Sequence, residues 1–168
     1  IEPDGGVARF RAWGWPSEVE GFELDVSGVC GSSAWQKAMA GRTWMSAEHV
    51  LGEAERQWWR LRPADQLEAF RAHAVIGGST SDAKQAKEQS GMDSASDSVR
   101  QELARLNAEY RDRYGFLYLV CASGKSAEQM LAILERRMQN EERLEFQVAC
   151  GEEAKIMQLR LRALLEAR

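Results

Sequence analysis

The stretch Phe70 to Gly91, FRAHAVIGGSTSDAKQAKEQSG, holds two side-chain types that can move protons near neutral pH. His73 follows a helix-like run and opens onto Gly77-Gly78, and Glu88-Gln89 closes the next polar segment shortly before Gly91. Both ends of that loop can therefore face one cavity. Imidazole titrates nearest physiological pH, and an acid/base catalyst works best when its pKa lies near the operating pH. His73 with Glu88 is thus a candidate proton-transfer pair. A histidine at the C-terminal end of a helix equally serves as a dipole partner or a packing residue, and the spacing leaves both readings open. Further along, Ile156, Arg160 and Leu164 stand at i, i+4 and i+8, which places a guanidinium among core-facing residues. There it needs an anionic ligand, an internal carboxylate or a path to solvent.

These residues need helices to position them, and the chain supplies the signals. Ser32 or Ser33 caps a short helix carrying Trp35, Ala38 and Met39, with Gly41 to end it. Ser46 starts the next, whose Val50, Leu51, Ala54, Trp58 and Leu61 keep helical spacing until Pro63, which also fits the first turn of a third helix. Of the adjacent tryptophans, one belongs in the core and the other on the surface. His49, in a first helical turn, has no evident chemical partner. The cluster Ser79 to Asp82 offers cap oxygens for a polar helix running to about Gly91; with so little apolar surface, that helix is either a brace or a polar face with work to do.

Val99, Leu103, Leu106, Tyr110 and Tyr114 form one helical stripe stopped by Gly115. Phe116 to Ala122, FLYLVCA, has strand propensity but no partner strand, so we expect a buried extended segment whose backbone groups address a ligand. Ser126 to Gln129 is a capping box for a helix that Asn140 can end. The last helical run, from about Arg143 to Leu165, is expected to kink or divide at Gly151.

At 168 residues and 44% hydrophobic content the chain fits one domain with a sizeable core. A formal charge of -4 argues against nucleic acid or an anionic membrane as the main partner. No apolar run approaches the roughly 20 residues of a membrane span, so a soluble protein is expected. Cys30, Cys121 and Cys150 are too few and too scattered for a disulfide framework or paired zinc ligands and read as reduced thiols. No phosphate loop, zinc helix, CxxC pair or Gly-x-Ser-x-Gly elbow occurs. Residues 1–29, with Gly5-Gly6, Trp13-Gly14-Trp15-Pro16 and Gly28, read as a leader or linker before a helical domain at 30–168; Phe22, Leu24 and Val26 alternate as an extended segment would. The start at Ile1 suggests a fragment or processed chain, and the terminal Leu-Glu-Ala-Arg is no peroxisomal tripeptide.

The order His73-x-x-Ile76-Gly77, Glu88-Gln89, Tyr114-Gly115-Phe116 with Val120-Cys121-Ala122, and Arg160-Leu161 resembles the 2-oxo-4-hydroxy-4-carboxy-5-ureidoimidazoline (OHCU) decarboxylase family. Cys30-Gly-Ser-Ser, Leu106-Asn107-x-x-Tyr110, Cys121-Ala-Ser-Gly124, Glu135-Arg-Arg137 and Lys155-Ile156-x-x-Leu159-Arg160 extend the likeness from about Cys30 to Leu165. Several blocks look most like the plant-type form, fused to a hydroxyisourate hydrolase domain. The resemblance implies an all-α, single-domain helix bundle, commonly a homodimer, acting as a carboxy-lyase without metal or organic cofactor. Its substrate would be a small ureide in urate breakdown and its product (S)-allantoin. The compartment would be peroxisomal in a eukaryote and cytoplasmic in a bacterium.

By position, His73 and Glu88 match the family's catalytic residues. Ala74, Gln85, Gln89, Leu119, Val120, Cys121, Ala122, Ser123 and Arg160 match substrate-binding positions. Two positions depart from the pattern. Ala74 stands where the family usually has proline after the histidine, and the family's Ser-x-x-Glu-Gln reads Gln85-Ala-Lys-Glu88-Gln89. These departures leave two alternatives: a catalytically silent helical interaction module of the same fold, or a decarboxylase or racemase acting on another small ureide.

Overall fold

The computed structural model of the protein describes residues 20–78 and 82–168. Trp13 and Trp15, most of the expected leader, and the cap candidates Ser79 to Ser81 lie outside these. Among the described residues seven α-helices follow one another: α1 Ser33–Met39, α2 Ala47–Arg60, α3 Pro63–Arg71, α4 Ala83–Glu88, α5 Asp97–Tyr114, α6 Ala127–Arg137 and α7 Glu142–Glu166. A single antiparallel bridge, Phe22 to Trp44, is the only β pairing among the described residues. The fold is all-α.

Side-chain oxygens start most of the helices. Ser32, Ser46, Ser96 and Ser126 each accept a backbone N–H of the first turn, and Ser126 with Gln129 completes the capping box. Pro63 opens α3, where a missing N–H costs nothing. At the far end of α5, Gly115 takes the left-handed conformation (φ 80°) that closes the last turn on the Arg111 carbonyl.

Three expectations are corrected. α7 is continuous through Gly151, because helix-long packing of Ala149, Cys150, Ala154 and Met157 outweighs one glycine's modest propensity cost. The polar helix stops at Glu88 and gives way to a 3-10 turn, Ser90–Met92. α6 ends at Arg137, before Asn140, whose side chain donates to Glu145 instead.

Two apolar clusters make up the core, and α7 belongs to the first. The first gathers Trp35, Trp44, Trp58, Phe70, Met157 and Leu161 between α1, α2, α3 and α7, and it already includes Val26 and Val29. Each large side chain buried there contributes about 1.5–3 kcal/mol of hydrophobic stabilisation. Trp35 and Trp58 also satisfy their indole N–H groups on the Ala54 and Cys150 carbonyls. Trp59 is exposed, so the adjacent pair divides into one core and one surface ring, as expected. The second cluster joins α5 to α6 through Leu103, Tyr110, Met130 and Leu134.

The segment after Gly115 threads between the clusters as extended chain without a partner strand, and Tyr118 to Ala122 are buried in it. Buried backbone in that state needs partners from outside a sheet. Side chains supply them. Arg137 donates to the Leu119 carbonyl at 2.6 Å, and Glu152 accepts the Cys121 N–H at 3.3 Å. Lys125 Nζ donates to the Cys121 carbonyl at 2.7 Å. Several backbone groups expected to be free for a ligand are therefore held internally.

Arg137 is itself buried and is fixed by Glu145, 2.6 Å from its Nε, with Tyr110 donating to the same carboxylate at 2.5 Å. Its guanidinium also lies 5.0 Å from the Tyr118 ring centroid. The extended segment is thus clamped from α6 and α7.

Candidate active site

α3 ends on Ala72, and its last turn delivers His73 to the mouth of a cavity. Opposite stands α4, which has no buried residue. The half-buried residues of its inward face are Gln85, Glu88 and Gln89, at helical spacing. The third wall is the clamped segment, Leu119 to Ser123, and Ile156 and Leu159 of α7 complete the lining.

His73, Ala74, Gln85, Glu88, Gln89, Leu119, Val120, Cys121, Ala122 and Ser123 all border this one space. Arg160 does not line it. It stands behind Glu88, donating from Nε at 2.8 Å to one carboxylate oxygen and from Nη2 at 3.0 Å to the other, a bidentate fork. Its Nη1 also donates to the Val29 carbonyl at 3.1 Å. The guanidinium on the core-facing line has therefore found an internal carboxylate. Burial works against its charge, and the hydrogen bonds and charge of Glu88 outweigh that, so its pKa is raised.

The cavity itself is about 20 Å³, room for little more than a water molecule. On the other side of the Glu88–Arg160 pair lies a groove of about 820 Å³ that shares Glu88, Ser123 and Leu159 with it and is edged by Lys84 and Lys87. Glu88, Ser123 and Leu159 form the partition between the two, with Arg160 on its groove side.

Sequence reasoning missed Glu153. Its side chain has no exposed surface, and its Oε2 lies 2.5 Å from Nε2 of His73, whose own side chain is 7% exposed. A carboxylate in its ionised form only accepts, so against it the imidazole Nε2–H is the donor, and Nδ1 is the ring nitrogen outside this bond. The second oxygen, Oε1, is buried without a hydrogen-bond partner among the described residues. Nearby thiols register this environment. Burial, and secondarily the Glu153 charge, pushes Cys150 up to about 12 and Cys30 higher still. Burial likewise raises Cys121. The sequence did carry a signal: Glu153, Ile156 and Arg160 stand at i, i+3 and i+7, one face of one helix.

α4 is held to the turn after His73 by amides and not by apolar packing. Gln85 Oε1 accepts the Ala74 N–H at 2.8 Å, and Gln85 Nε2 donates to the Ala72 carbonyl at 3.1 Å. Gln89 Oε1 accepts the Gly77 N–H at 3.3 Å, and Gln89 Nε2 donates to the Ala74 carbonyl at 3.4 Å. Beyond its far end, Gly91 lies so close to the turn that follows the third wall that a Cβ would stand 2.0 Å from the Lys125 carbonyl oxygen.

His49, outside this region, stacks edge-on against Trp44 at 5.1 Å. Among the described residues no three His, Cys, Asp or Glu side chains are grouped to hold a metal ion, and no helix is long and apolar enough to cross a membrane.

Comparison with known proteins gives a consistent picture. The family model described as OHCU decarboxylase matches residues 18–162. The uric acid degradation bifunctional protein TTL of Arabidopsis thaliana is 33% identical over 144 residues, covering 80% of this chain and 44% of that one, so the chain spans less than half of the plant protein. A 2-oxo-4-hydroxy-4-carboxy-5-ureidoimidazoline decarboxylase of Haloferax volcanii is 31% identical over 134 residues, 77% of this chain and 80% of its own. Among solved structures, one of an OHCU decarboxylase in the presence of (S)-allantoin superposes with a TM-score of 0.76 at 34% identity, covering 82% of this chain and 94% of that one.

Proposed function

The chain belongs to the OHCU decarboxylase family, and on that premise we propose that it decarboxylates 2-oxo-4-hydroxy-4-carboxy-5-ureidoimidazoline to (S)-allantoin, with His73 and Glu88 as catalytic residues. The observation that carries this reading is the single cavity on which His73, Glu88, Gln89 and the Leu119 to Ser123 segment converge.

The substrate supplies its own electron sink. When the bond from C4 to the carboxylate breaks, CO2 leaves and the electron pair passes into the adjacent ring C=N. The C4 hydroxyl then becomes a carbonyl as the neighbouring carbon takes up one proton and the ring nitrogen another, the latter equivalent to the proton the hydroxyl gives up. The protein has to hold the ring, receive the hydroxyl proton and deliver a proton to one face.

Arg160 is the group for the leaving carboxylate, because its planar fork matches two oxygens. In the free protein that fork is filled by Glu88. Substrate carboxylate replaces Glu88 on Arg160, and the released Glu88 carboxylate accepts the hydroxyl proton. The partition between cavity and groove opens in the same step, making room that the cavity alone lacks. α4, with no buried residue, is the wall that yields.

Gln89 binds the ureido group, and the Leu119 to Ser123 wall faces the ring. His73, with Nε2 engaged on Glu153, protonates the new C–H centre from Nδ1 on one face only, which sets the (S) configuration. A homodimer, a fused or partnering hydroxyisourate hydrolase, and a peroxisomal or bacterial cytoplasmic setting complete this reading, together with residues 30–168 as the decarboxylase domain.

The test is His73→Asn assayed on freshly generated substrate. Loss of turnover with unchanged helical circular dichroism supports the assignment, and retained turnover removes His73 from the mechanism.

A further inference from the structure

We propose that Gln85 is a positioning residue that fixes the backbone on both sides of His73, and that Ala74 and Gln85 form one compensated pair. The inference rests on the catalytic reading of His73.

A single planar amide reaches across the histidine. Its oxygen takes the N–H of the residue after His73 at 2.8 Å, and its nitrogen donates to the carbonyl of the residue before it at 3.1 Å. Two hydrogen bonds to peptides flanking one residue hold that residue's φ and ψ as a neighbouring strand would. Gln89 adds a third hold through the Ala74 carbonyl. These amides matter because α4 buries nothing else against the turn.

The two departures from the family pattern explain each other in these terms. Proline at position 74 would carry no N–H and would confine His73 to extended backbone by steric clash. Alanine lifts that restriction and adds a donor that must be met. A serine at position 85 has one short hydroxyl and cannot span both peptides. Glutamine presents donor and acceptor in one group with the necessary reach. The restraint that a proline ring supplies by sterics is supplied here by hydrogen bonds.

Coupling between the two positions is the consequence to measure. Wild type, Gln85→Ala, Ala74→Pro and the double variant are compared for kcat and KM on fresh substrate. Amide hydrogen exchange at residue 74 of wild type and Gln85→Ala is followed by NMR without substrate. Gln85→Ala lowers kcat about tenfold with KM nearly unchanged, the scale of one or two lost hydrogen bonds. Adding Ala74→Pro to it restores kcat to within about threefold of wild type, since proline replaces the missing restraint. The Ala74 amide exchanges at least about tenfold faster in Gln85→Ala.

Gln85→Glu keeps the acceptor and loses the donor. It falls between wild type and Gln85→Ala, and with the exchange rates it keeps the idea open to refutation should proline prevent folding. Independent, multiplicative effects of the two substitutions overturn the pairing. A raised KM at constant kcat in Gln85→Ala overturns it too, making Gln85 a substrate contact. Inactive wild type with a protected Ala74 amide refutes the decarboxylase reading and leaves the staple standing, whereas an unprotected amide refutes the staple itself.

Discussion

Nε2 of His73 lies 2.5 Å from Oε2 of Glu153, a carboxylate with no surface exposed to solvent. A carboxylate so placed holds the ring by one nitrogen and fixes its orientation at the cavity that His73 lines. Glu153 acts on the reaction through His73, as a positioning residue.

Glu153→Gln keeps the shape and removes the charge. It is expected to lower kcat about a hundredfold, the low end of what proton transfer contributes, and to change the pH profile of kcat while the fold remains intact. A rate and profile like wild type's at all pH values would exclude the carboxylate from the mechanism.

The clamp on the third wall makes a separate prediction. Arg137→Met leaves Glu145 buried without its cation and is expected to cost about 3–5 kcal/mol in urea unfolding. Replacing Glu145 with Met as well recovers most of that stability, because an apolar pair tolerates burial. Activity does not return with it, since the Leu119 carbonyl still lacks its donor. Activity returning in step with stability would show that the clamp serves folding alone.

The buried thiols set an alkaline limit. In the folded state Cys30, Cys121 and Cys150 are all raised from an ordinary 9.0, with Cys150 at about 12. Below pH 9 both states hold the proton, and this contribution is complete. Above it the unfolded chain ionises first, so stability falls as pH rises towards the folded-state values. Two such groups cost about 3 kcal/mol per pH unit. Urea midpoints should therefore drop between pH 9 and 11, and the drop should be shallower in Cys150→Ala. A flat profile would mean that the thiols are not buried as described.

Much of the framework was legible because its signals are local. Ser32, Ser46 and Ser126 cap the helices that follow them, and Gly115 stops α5, without help from distant residues. The demand of Arg160 for an anion could be read from helical spacing, but its partner across the fold could not. Glu153 shares the helix face of Ile156 and Arg160, but its partner was hidden for a related reason. A glutamate within Glu152-Glu153-Ala154-Lys155 reads as a solvated charge until α7 is seen to turn that face onto His73. Gly151 misled because helix propensity is a weak term beside packing along twenty-five residues of α7. Arg137 carried no marker of its clamp, which exists only once Leu119 and Glu145 are brought to it.

The most direct test of the central claim is optical. The unstable ureidoimidazoline is generated in the cuvette from urate with uricase and hydroxyisourate hydrolase, the protein is added, and the circular dichroism of (S)-allantoin is followed. A decarboxylase of this stereochemistry makes the signal appear faster than spontaneous decay and with the sign of the (S) enantiomer. Folded protein that leaves the decay slow and racemic would contradict the claim and leave the chain as a silent member of its family.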